Sequence, residues 1–247
     1  MALKTILNYS PNFYSKKRIY NEIKFIIFHY TGMNKESDAI NRLTNIQSEV
    51  SSHYLIKKNG SILSLVPDLY IAWHAGKSSW KNFKSLNKNS IGIEITNPGH
   101  EFGYKKFTKK QIYSLLKLSK FLIKKYKINS KNILGHSDIA PQRKKDPGEK
   151  FPWKYLSKNK IGLWHTLNKQ ELIKSRNYKT SQKEKKFFFN NLIEIGYSKK
   201  IPKNLNKDGY LRVLVKAFQR RFRQELINGK IDQECLIISQ NLLKKYN

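Results

Sequence analysis

The sequence has a single cysteine and no long apolar run. Its 247 residues include only Cys235, which excludes an intramolecular disulfide framework and a zinc site made of two or more thiolates from one chain. No stretch approaches the roughly 20 apolar residues that a membrane-spanning helix needs. Residues 1–18 also lack an apolar segment of signal-peptide length. We therefore expect a soluble protein without a membrane span, located in the cytoplasm.

Negative charge is scarce as well. The chain has 17 Asp and Glu residues against 49 Lys and Arg residues, which gives a formal net charge of +32. Such an excess favours polyanionic partners, among them nucleic acid, anionic membranes and acidic polymers. The lysines are spread through nearly every segment, however, and Asn and Ile are also overused. We attribute the charge mainly to compositional drift and solubility, and we expect no specific nucleic-acid partner.

Three segments have the pattern of β-strands. KFIIF is a short apolar run, which favours a buried strand with His29 at its C-terminal end. HYLIKKNGSILSLV places Asn59-Gly60 between two β-rich runs, which is typical of a hairpin with a two-residue turn. SIGIEI alternates as a strand does, and Glu94 lies on the face opposite the isoleucines.

Helical patterns begin at recognisable caps. Ser37 is a candidate cap for a short helix, and Thr108 with Gln111 forms a capping-box pattern before an amphipathic helix over 109–127. Ser181 starts a similar pattern, and two further amphipathic segments follow it. Because strands and helices alternate in the first part of the chain, we predict a mixed α/β fold there, in which helices flank a central sheet.

The chain is predicted to have two folded parts. Residues 1–155 form the α/β domain, residues 156–180 form a polar connector, and residues 181–247 form a small all-α domain of three helices. No internal repeat is visible.

The loop GHSDIAPQRKKDPGEKFPW has the Pro/Gly-rich composition of an ordered functional loop. His29, His136 and Asp146 fit the ligand set of a catalytic zinc site, which takes three His or carboxylate ligands and leaves one position for water. For each histidine considered alone, an ordinary hydrogen-bonded or exposed side chain is the alternative. We assign that alternative to His53, His100 and His165.

Five other residues are candidates for roles around such a site. Glu94 could move a proton beside a metal, or could be a carboxylate on the sheet surface. Lys144 could stabilise an oxyanion, or could be one solvated lysine among many. Trp73 and His74 could line a substrate groove or pack in the interior, and Arg143 could bind a substrate carboxylate or face solvent.

Five segments in order resemble the zinc-dependent N-acetylmuramoyl-L-alanine amidases, a family that shares its fold with the peptidoglycan recognition proteins. The segments are HYTG at 29–32, SSHYLI at 51–56, WHAG at 73–76, IGIE at 91–94 and the loop from Gly135 to Trp153. The resemblance covers roughly residues 5–155.

The resemblance implies one Zn²⁺ per chain, bound by His29, His136 and Asp146. It also implies that Glu94 is the general base and acid and that Lys144 is the polarising cation, with Lys145 the disfavoured choice. The implied substrate is peptidoglycan or a muropeptide, cleaved between the lactyl group of N-acetylmuramic acid and L-alanine in wall turnover or recycling.

The C-terminal part resembles the three-helix peptidoglycan-binding module through VKAFQRRF at 215–222 and GKID at 229–232. Two alternative functions are a non-catalytic peptidoglycan-binding or recognition protein and a basic nucleic-acid-binding protein. The apparent lack of a leader favours recycling inside the cell, with non-standard export to the cell envelope as the alternative.

Overall fold

The computed structural model of the chain describes residues 3–246, and within them the fold is a mixed α/β arrangement. The strands are β1 (Ile6–Leu7), β2 (Phe13–Tyr14), β3 (Phe25–Tyr30), β4 (Tyr54–Ile56), β5 (Ile62–Ser64), β6 (Ile71–Ala72), β7 (Ser79–Trp80), β8 (Phe83–Lys84), β9 (Ser90–Ile95) and β10 (Ile133–Gly135). The helices are α1 (Glu36–Thr44), α2 (Lys109–Tyr126), α3 (His136–Ile139), α4 (Trp153–Lys158), α5 (Lys169–Ser175), α6 (Gln182–Ile195), α7 (Lys207–Phe222) and α8 (Gln233–Tyr246). Within the same residues, no helix is both long enough and apolar enough to cross a bilayer.

Six strands form the central sheet in the order β1-β5-β4-β9-β3-β10. All neighbouring pairs are parallel except β4 and β5, which form the antiparallel hairpin. β3 lies between β9 and β10, and the register pairs His29 with Glu94. Parallel strands end at the same edge of a sheet, so the C-terminal ends of these three strands bring His29, Glu94 and the segment after Gly135 together.

Both faces of the sheet are covered, which explains why β3 is apolar at consecutive positions. On one face, Ile26 and Phe28 belong to a buried cluster with residues of α2 such as Leu118. On the other face, Phe25 and Ile27 belong to a cluster that includes residues of α6, α7 and α8. The three C-terminal helices therefore share a hydrophobic core with the sheet.

The predicted α2 is confirmed at its N-terminus. Thr108 accepts a hydrogen bond from the backbone N–H of Gln111 (3.1 Å), and the Gln111 side chain accepts one from the backbone N–H of Thr108 (2.9 Å). Ser181 and Glu184 form the same reciprocal cap at α6. The prediction that Ser37 caps a helix is wrong, because α1 begins at Glu36 and Ser37 lies inside its first turn.

The hairpin between β4 and β5 is confirmed, but its turn differs from the prediction. The N–H of Gly60 donates to the carbonyl of Lys57 (2.9 Å), so the turn is centred on Lys58 and Asn59. Among the residues of this turn, only Gly60 has a positive φ, +87°. The connection is thus a turn followed by a left-handed glycine, in place of a two-residue turn with two left-handed residues.

Residues 156–180 contain more structure than a polar connector suggests. α4 starts at Trp153 and extends to Lys158, and α5 packs against α8. The division of the chain at residues 155 and 180 stays a prediction, and residues 1, 2 and 247 of those ranges lie outside the described residues.

Candidate active site

Three side chains from distant parts of the sequence converge beside the sheet. The Nδ1 atoms of His29 and His136 lie 2.9 Å apart, and each lies 3.0 Å from Oδ2 of Asp146. All three residues are at least 95 % buried. His29 is on β3, His136 begins α3 directly after β10, and the N–H of Ser137 donates to the carbonyl of Asp146 (2.8 Å). The parallel pairing of β3 with β10 therefore brings the two imidazoles together.

The donor set fits a metal ion. Four ligands about 2.0–2.1 Å from zinc at tetrahedral angles lie about 3.3 Å from each other, close to the separations seen here. Hydrogen bonds alone fit poorly, since each Nδ1 has one proton or one lone pair in its ring plane and faces two partners. The three residues thus form a buried group that can hold a metal ion.

The other nitrogen of His29 is held by a chain of hydrogen bonds. Ser90 donates its hydroxyl hydrogen to the carbonyl of Leu86 (2.6 Å), so its oxygen accepts from Nε2 of His74 (3.2 Å). His74 therefore carries its proton on Nε2 and accepts at Nδ1 from Nε2 of His29 (3.0 Å). With its proton on Nε2, His29 has a lone pair on Nδ1, the nitrogen that faces His136 and Asp146.

His136 is oriented in the same way. Its Nε2 lies 3.2 Å from the carbonyl oxygen of Ala75, which can only accept, and 3.2 Å from Nη2 of Arg143, which can only donate. When Nδ1 acts as a metal ligand, the ring proton is on Nε2, which then donates to Ala75. The segment that supplies this carbonyl is fixed in turn, because the side-chain oxygen of Asn87 accepts from the N–H groups of His74 (3.1 Å) and Ala75 (2.6 Å).

Burial and charge set the protonation states of His29 and Asp146. Burial, reinforced by His136, lowers the pKa of His29 to about 4, so the ring is neutral near pH 7. Burial alone would raise the pKa of Asp146, but the two imidazoles outweigh burial and hold this pKa far below its usual value. Neutral imidazoles and an ionised carboxylate are the forms that bind metals.

Glu94 lies beside this centre with an unusual pKa. Burial, together with the charge of Asp146, raises the pKa of Glu94 to about 8, although Lys144 opposes the shift. Its Oε2 is shielded from solvent and has no hydrogen-bond partner within the described residues. A carboxyl group that titrates near neutral pH, with one oxygen unpaired, is equipped to take up and release a proton.

A groove of about 710 Å³ opens over the centre. Glu94, His136 and Asp146 line it, and Asp38 and Arg42 of α1 lie along it as well. The remaining lining residues include those of the loop around His100 and the residues Arg143, Lys144 and Lys145. A mixed basic and acidic groove of this size suits a polar, charged ligand.

The sequence profile of the family described as N-acetylmuramoyl-L-alanine amidase matches residues 19–149, which is more than half of the chain and contains all three possible metal ligands. The chain belongs to the N-acetylmuramoyl-L-alanine amidase family. The family predicted from the sequence is thereby confirmed, and the described residues show the predicted mixed α/β fold.

Relatives of this amidase extend the likeness to the C-terminal helices. The N-acetylmuramoyl-L-alanine amidase AmiD of Escherichia coli is 36% identical over 239 residues, which cover 92% of this chain and 84% of AmiD. The structure of AmiD from E. coli with anhydro-N-acetylmuramic acid-L-Ala-D-gamma-Glu-L-Lys superposes with a TM-score of 0.79 at 34% identity, covering 94% of this chain and 93% of that one. AmpDh3 from Pseudomonas aeruginosa, in complex with anhydromuramic pentapeptide, gives a TM-score of 0.78 at 30% identity and covers 94% of both chains.

The structure brings together seven of the eight candidate residues of this amidase. Trp73 is not among the residues that line the groove in the described chain, and its ring packs edge-on against Tyr14 with centroids 5.4 Å apart. Arg143 lines the groove while its guanidinium donates to the carbonyl oxygens of Ala75 and Lys77. His74 borders the groove, but both of its ring nitrogens bond to protein groups.

Several residues that support the site carried no sequence signal. Asn87 is a common polar residue in a short 3-10 helix, and Ser90 is one at the start of β9. Their roles depend on which histidine or backbone group they reach. His53, assigned a structural role, accepts from the N–H of Gly92 (3.0 Å) inside the core. His100 bonds to Tyr30 (2.8 Å) and Glu149 (3.0 Å) at the groove wall.

Gly92→Ala should weaken metal binding in this amidase through His74. A Cβ at Gly92 would lie 2.4 Å from Cγ of His74, so the ring must shift from the position in which it bonds to His29. Because loss of such an outer partner costs about 10–100-fold in metal affinity, we expect a comparable rise in the dissociation constant, measured by chelator competition with Zn²⁺ as the probe. The double variant Gly92→Ala/His74→Ala is the control and should bind no more weakly than His74→Ala. Wild-type affinity in Gly92→Ala would contradict the assigned chain of hydrogen bonds.

Glu94→Gln should stabilise the metal-free protein, and the gain should grow with pH. The pKa of Glu94 is raised from 4.5 to about 8 in the folded state, so ionisation opposes folding as the pH rises through this interval. Thermal unfolding of both proteins in chelator at pH 4.5, 6 and 8 measures the difference, which should be smallest at the lowest pH. A difference that does not change with pH would show that Glu94 is not destabilised by burial.

Proposed function

We propose that the chain is a zinc-dependent N-acetylmuramoyl-L-alanine amidase. It hydrolyses the amide between the lactyl group of N-acetylmuramic acid and L-alanine in peptidoglycan or in muropeptides derived from it. The observation that carries this proposal is the buried triangle of two imidazole nitrogens and one carboxylate oxygen, with sides of 2.9–3.0 Å, lying beside Glu94 at a groove.

One Zn²⁺ per chain would be held by Nδ1 of His29, Nδ1 of His136 and Oδ2 of Asp146. Two imidazoles and a carboxylate are a usual ligand set for catalytic zinc, and three protein ligands leave a fourth position for water or substrate. Zinc in this position would lower the pKa of a coordinated water to about 7 and polarise the lactyl carbonyl.

Glu94 is the general base and then the general acid. Its carboxylate takes a proton from the attacking water and returns it to the alanine nitrogen as the amide bond breaks. The raised pKa suits both steps, because the group is neither a strong acid nor fully protonated near pH 7. We assign the transferred proton to Oε2, the oxygen of Glu94 that has no hydrogen-bond partner within the described residues.

Lys144 is the cation that stabilises the developing oxyanion. It lines the groove together with Glu94 and Asp146, and its positive charge lowers the pKa values of both Glu94 and His29. When the lactyl carbonyl becomes tetrahedral, its oxygen gains negative charge, and a fixed ammonium group lowers the energy of that state.

The groove accommodates the peptide part of the substrate. Arg143 uses Nε and Nη2 on backbone carbonyls, which leaves the Nη1 hydrogens for a carboxylate of the stem peptide. AmiD and AmpDh3 have been solved with anhydromuramic peptides, which supports a muropeptide of that kind as a substrate of this chain. Action on such fragments in the cytoplasm, as a step of wall recycling, is the corresponding cellular role.

Single substitutions should distinguish the residues that bind zinc from the residue that transfers the proton. Protein loaded with Zn²⁺ should hold one ion per chain, and chelator should abolish hydrolysis of purified muropeptides followed by mass spectrometry. Glu94→Gln should keep the ion and lose at least about 100-fold in kcat, because it cannot accept the proton. His136→Ala should lose both the ion and the activity. Near-normal turnover by Glu94→Gln would eliminate Glu94 as the base.

Replacing Lys144 should lower the rate without removing the metal. Lys144→Met should cost about 10²–10³ in kcat while the zinc content stays at one ion per chain. Lys145→Met is the matched variant, since the neighbouring Lys145 is exposed, and it should change kcat by no more than a few-fold. A larger loss in Lys145→Met than in Lys144→Met would transfer the polarising role to Lys145.

A further inference from the structure

The end of α7 reaches the loop that carries two of the three possible metal ligands. The guanidinium of Arg221 forms an ion pair with the carboxylate of Asp138, and the two side chains are 2 % and 1 % exposed. Nη2 of Arg221 also donates to the carbonyl of Ile133 on β10 (3.1 Å). Asp138 lies two residues after His136, so this contact connects the C-terminal helices directly to the metal centre.

Asp138 fixes the turn from which His136 projects. Its Oδ2 accepts the N–H of Gly135 (2.8 Å), and its Oδ1 accepts the hydroxyl of Tyr197 (3.0 Å). Gly135 ends β10 and His136 begins α3, so the carboxylate spans the junction between strand and helix. Tyr197, like Arg221, comes from the C-terminal part of the chain.

Residues at the end of α7 and just after it also contact the part of the loop that follows Asp146. Arg220 faces Glu149 (3.7 Å), and Gln224 donates to the carbonyl of Phe151 (2.6 Å). Glu149 follows the ligand Asp146 by three residues. Contacts from 220–224 therefore reach the ligand loop on both sides of Asp146.

We propose that Arg221 is a positioning residue for the metal centre. By pairing with Asp138 it holds the junction at Gly135 in the conformation that directs His136 towards His29 and Asp146. A buried ion pair does little for stability compared with apolar packing, so its presence at this junction needs another reason, and orientation of a ligand provides one. The inference rests on the metal site of the proposed function, and it makes that site dependent on the C-terminal helices.

The experiment compares four full-length variants: Arg221→Met, Arg221→Lys, Arg221→Met/Asp138→Asn and the control Arg212→Met. Arg212 is on the same helix and is exposed. The dissociation constant for Zn²⁺ is measured by chelator competition at a temperature where circular dichroism shows each protein folded. Hydrogen exchange of the peptides covering 133–146 is measured on the metal-free proteins.

We expect Arg221→Met to raise the zinc dissociation constant by about tenfold or more, and Arg221→Lys to raise it less because the charge is kept. The amide of Ser137, which bonds to Asp146, should exchange faster in Arg221→Met. Arg212→Met should match the wild type in both measurements.

Unchanged zinc affinity and unchanged exchange in a folded Arg221→Met, with only a lower Tm, would overturn the proposal and leave the pair a purely structural contact. If Arg221→Met does not fold, the double variant Arg221→Met/Asp138→Asn is used in its place, because it removes both charges of the pair. Wild-type zinc affinity and wild-type hydrogen exchange in the double variant would overturn the proposal. Weaker zinc binding and faster exchange would support it. Absence of zinc binding in the wild type would instead refute the proposed function, and the exchange measurement would still test the link between Arg221 and the loop.

Discussion

Two imidazole nitrogens and one carboxylate oxygen lie about 3 Å from each other in the protein interior, and the surrounding structure holds them at that separation. Without an ion this arrangement is unfavourable, because buried polar atoms compete for too few protons. It persists because β3 and β10 are paired in parallel register and because Ser137 ties the His136 segment to Asp146 by a backbone hydrogen bond. The sheet thus fixes the positions of the three residues that can hold a metal ion.

Different parts of the structure position different residues around this centre. The paired strands set the distance between the imidazoles, and β9 places Glu94 beside His29. The absence of a side chain at Gly92 leaves room for His74, which orients His29. The C-terminal helices share a core with the sheet and reach the ligand loop through Arg221. These contacts come from residues far outside the five segments that resemble the amidase family.

Much of the site and of the fold was accessible from the sequence for a physical reason. His29 and Glu94 lie at the ends of strands with clear apolar patterns, and the loop containing His136 and Asp146 has a distinctive Pro/Gly composition, so local signals marked each segment. α2 was predicted with its cap because Thr108 and Gln111 interact within one helical turn. Such signals act over a few residues, which is the range that a sequence pattern can report.

The remainder depends on long-range geometry. Ser37 has the chemistry of a cap but lies inside α1, and Asn59-Gly60 forms a turn with one left-handed residue where two were expected. His74 was predicted at a substrate groove, and its bonds to His29 and Ser90 appear only when β3 and β9 are adjacent. Asp138 and Arg221 are 83 residues apart, so no local sequence pattern indicates that they form an ion pair.

The most direct test of the central claim is a crystal structure of the zinc-loaded protein with anomalous data collected at the zinc absorption edge. The account predicts one peak per chain, about 2.0–2.1 Å from Nδ1 of His29, Nδ1 of His136 and a carboxylate oxygen of Asp146. A peak elsewhere, or coordination through the Nε2 atoms of the two histidines, would contradict it.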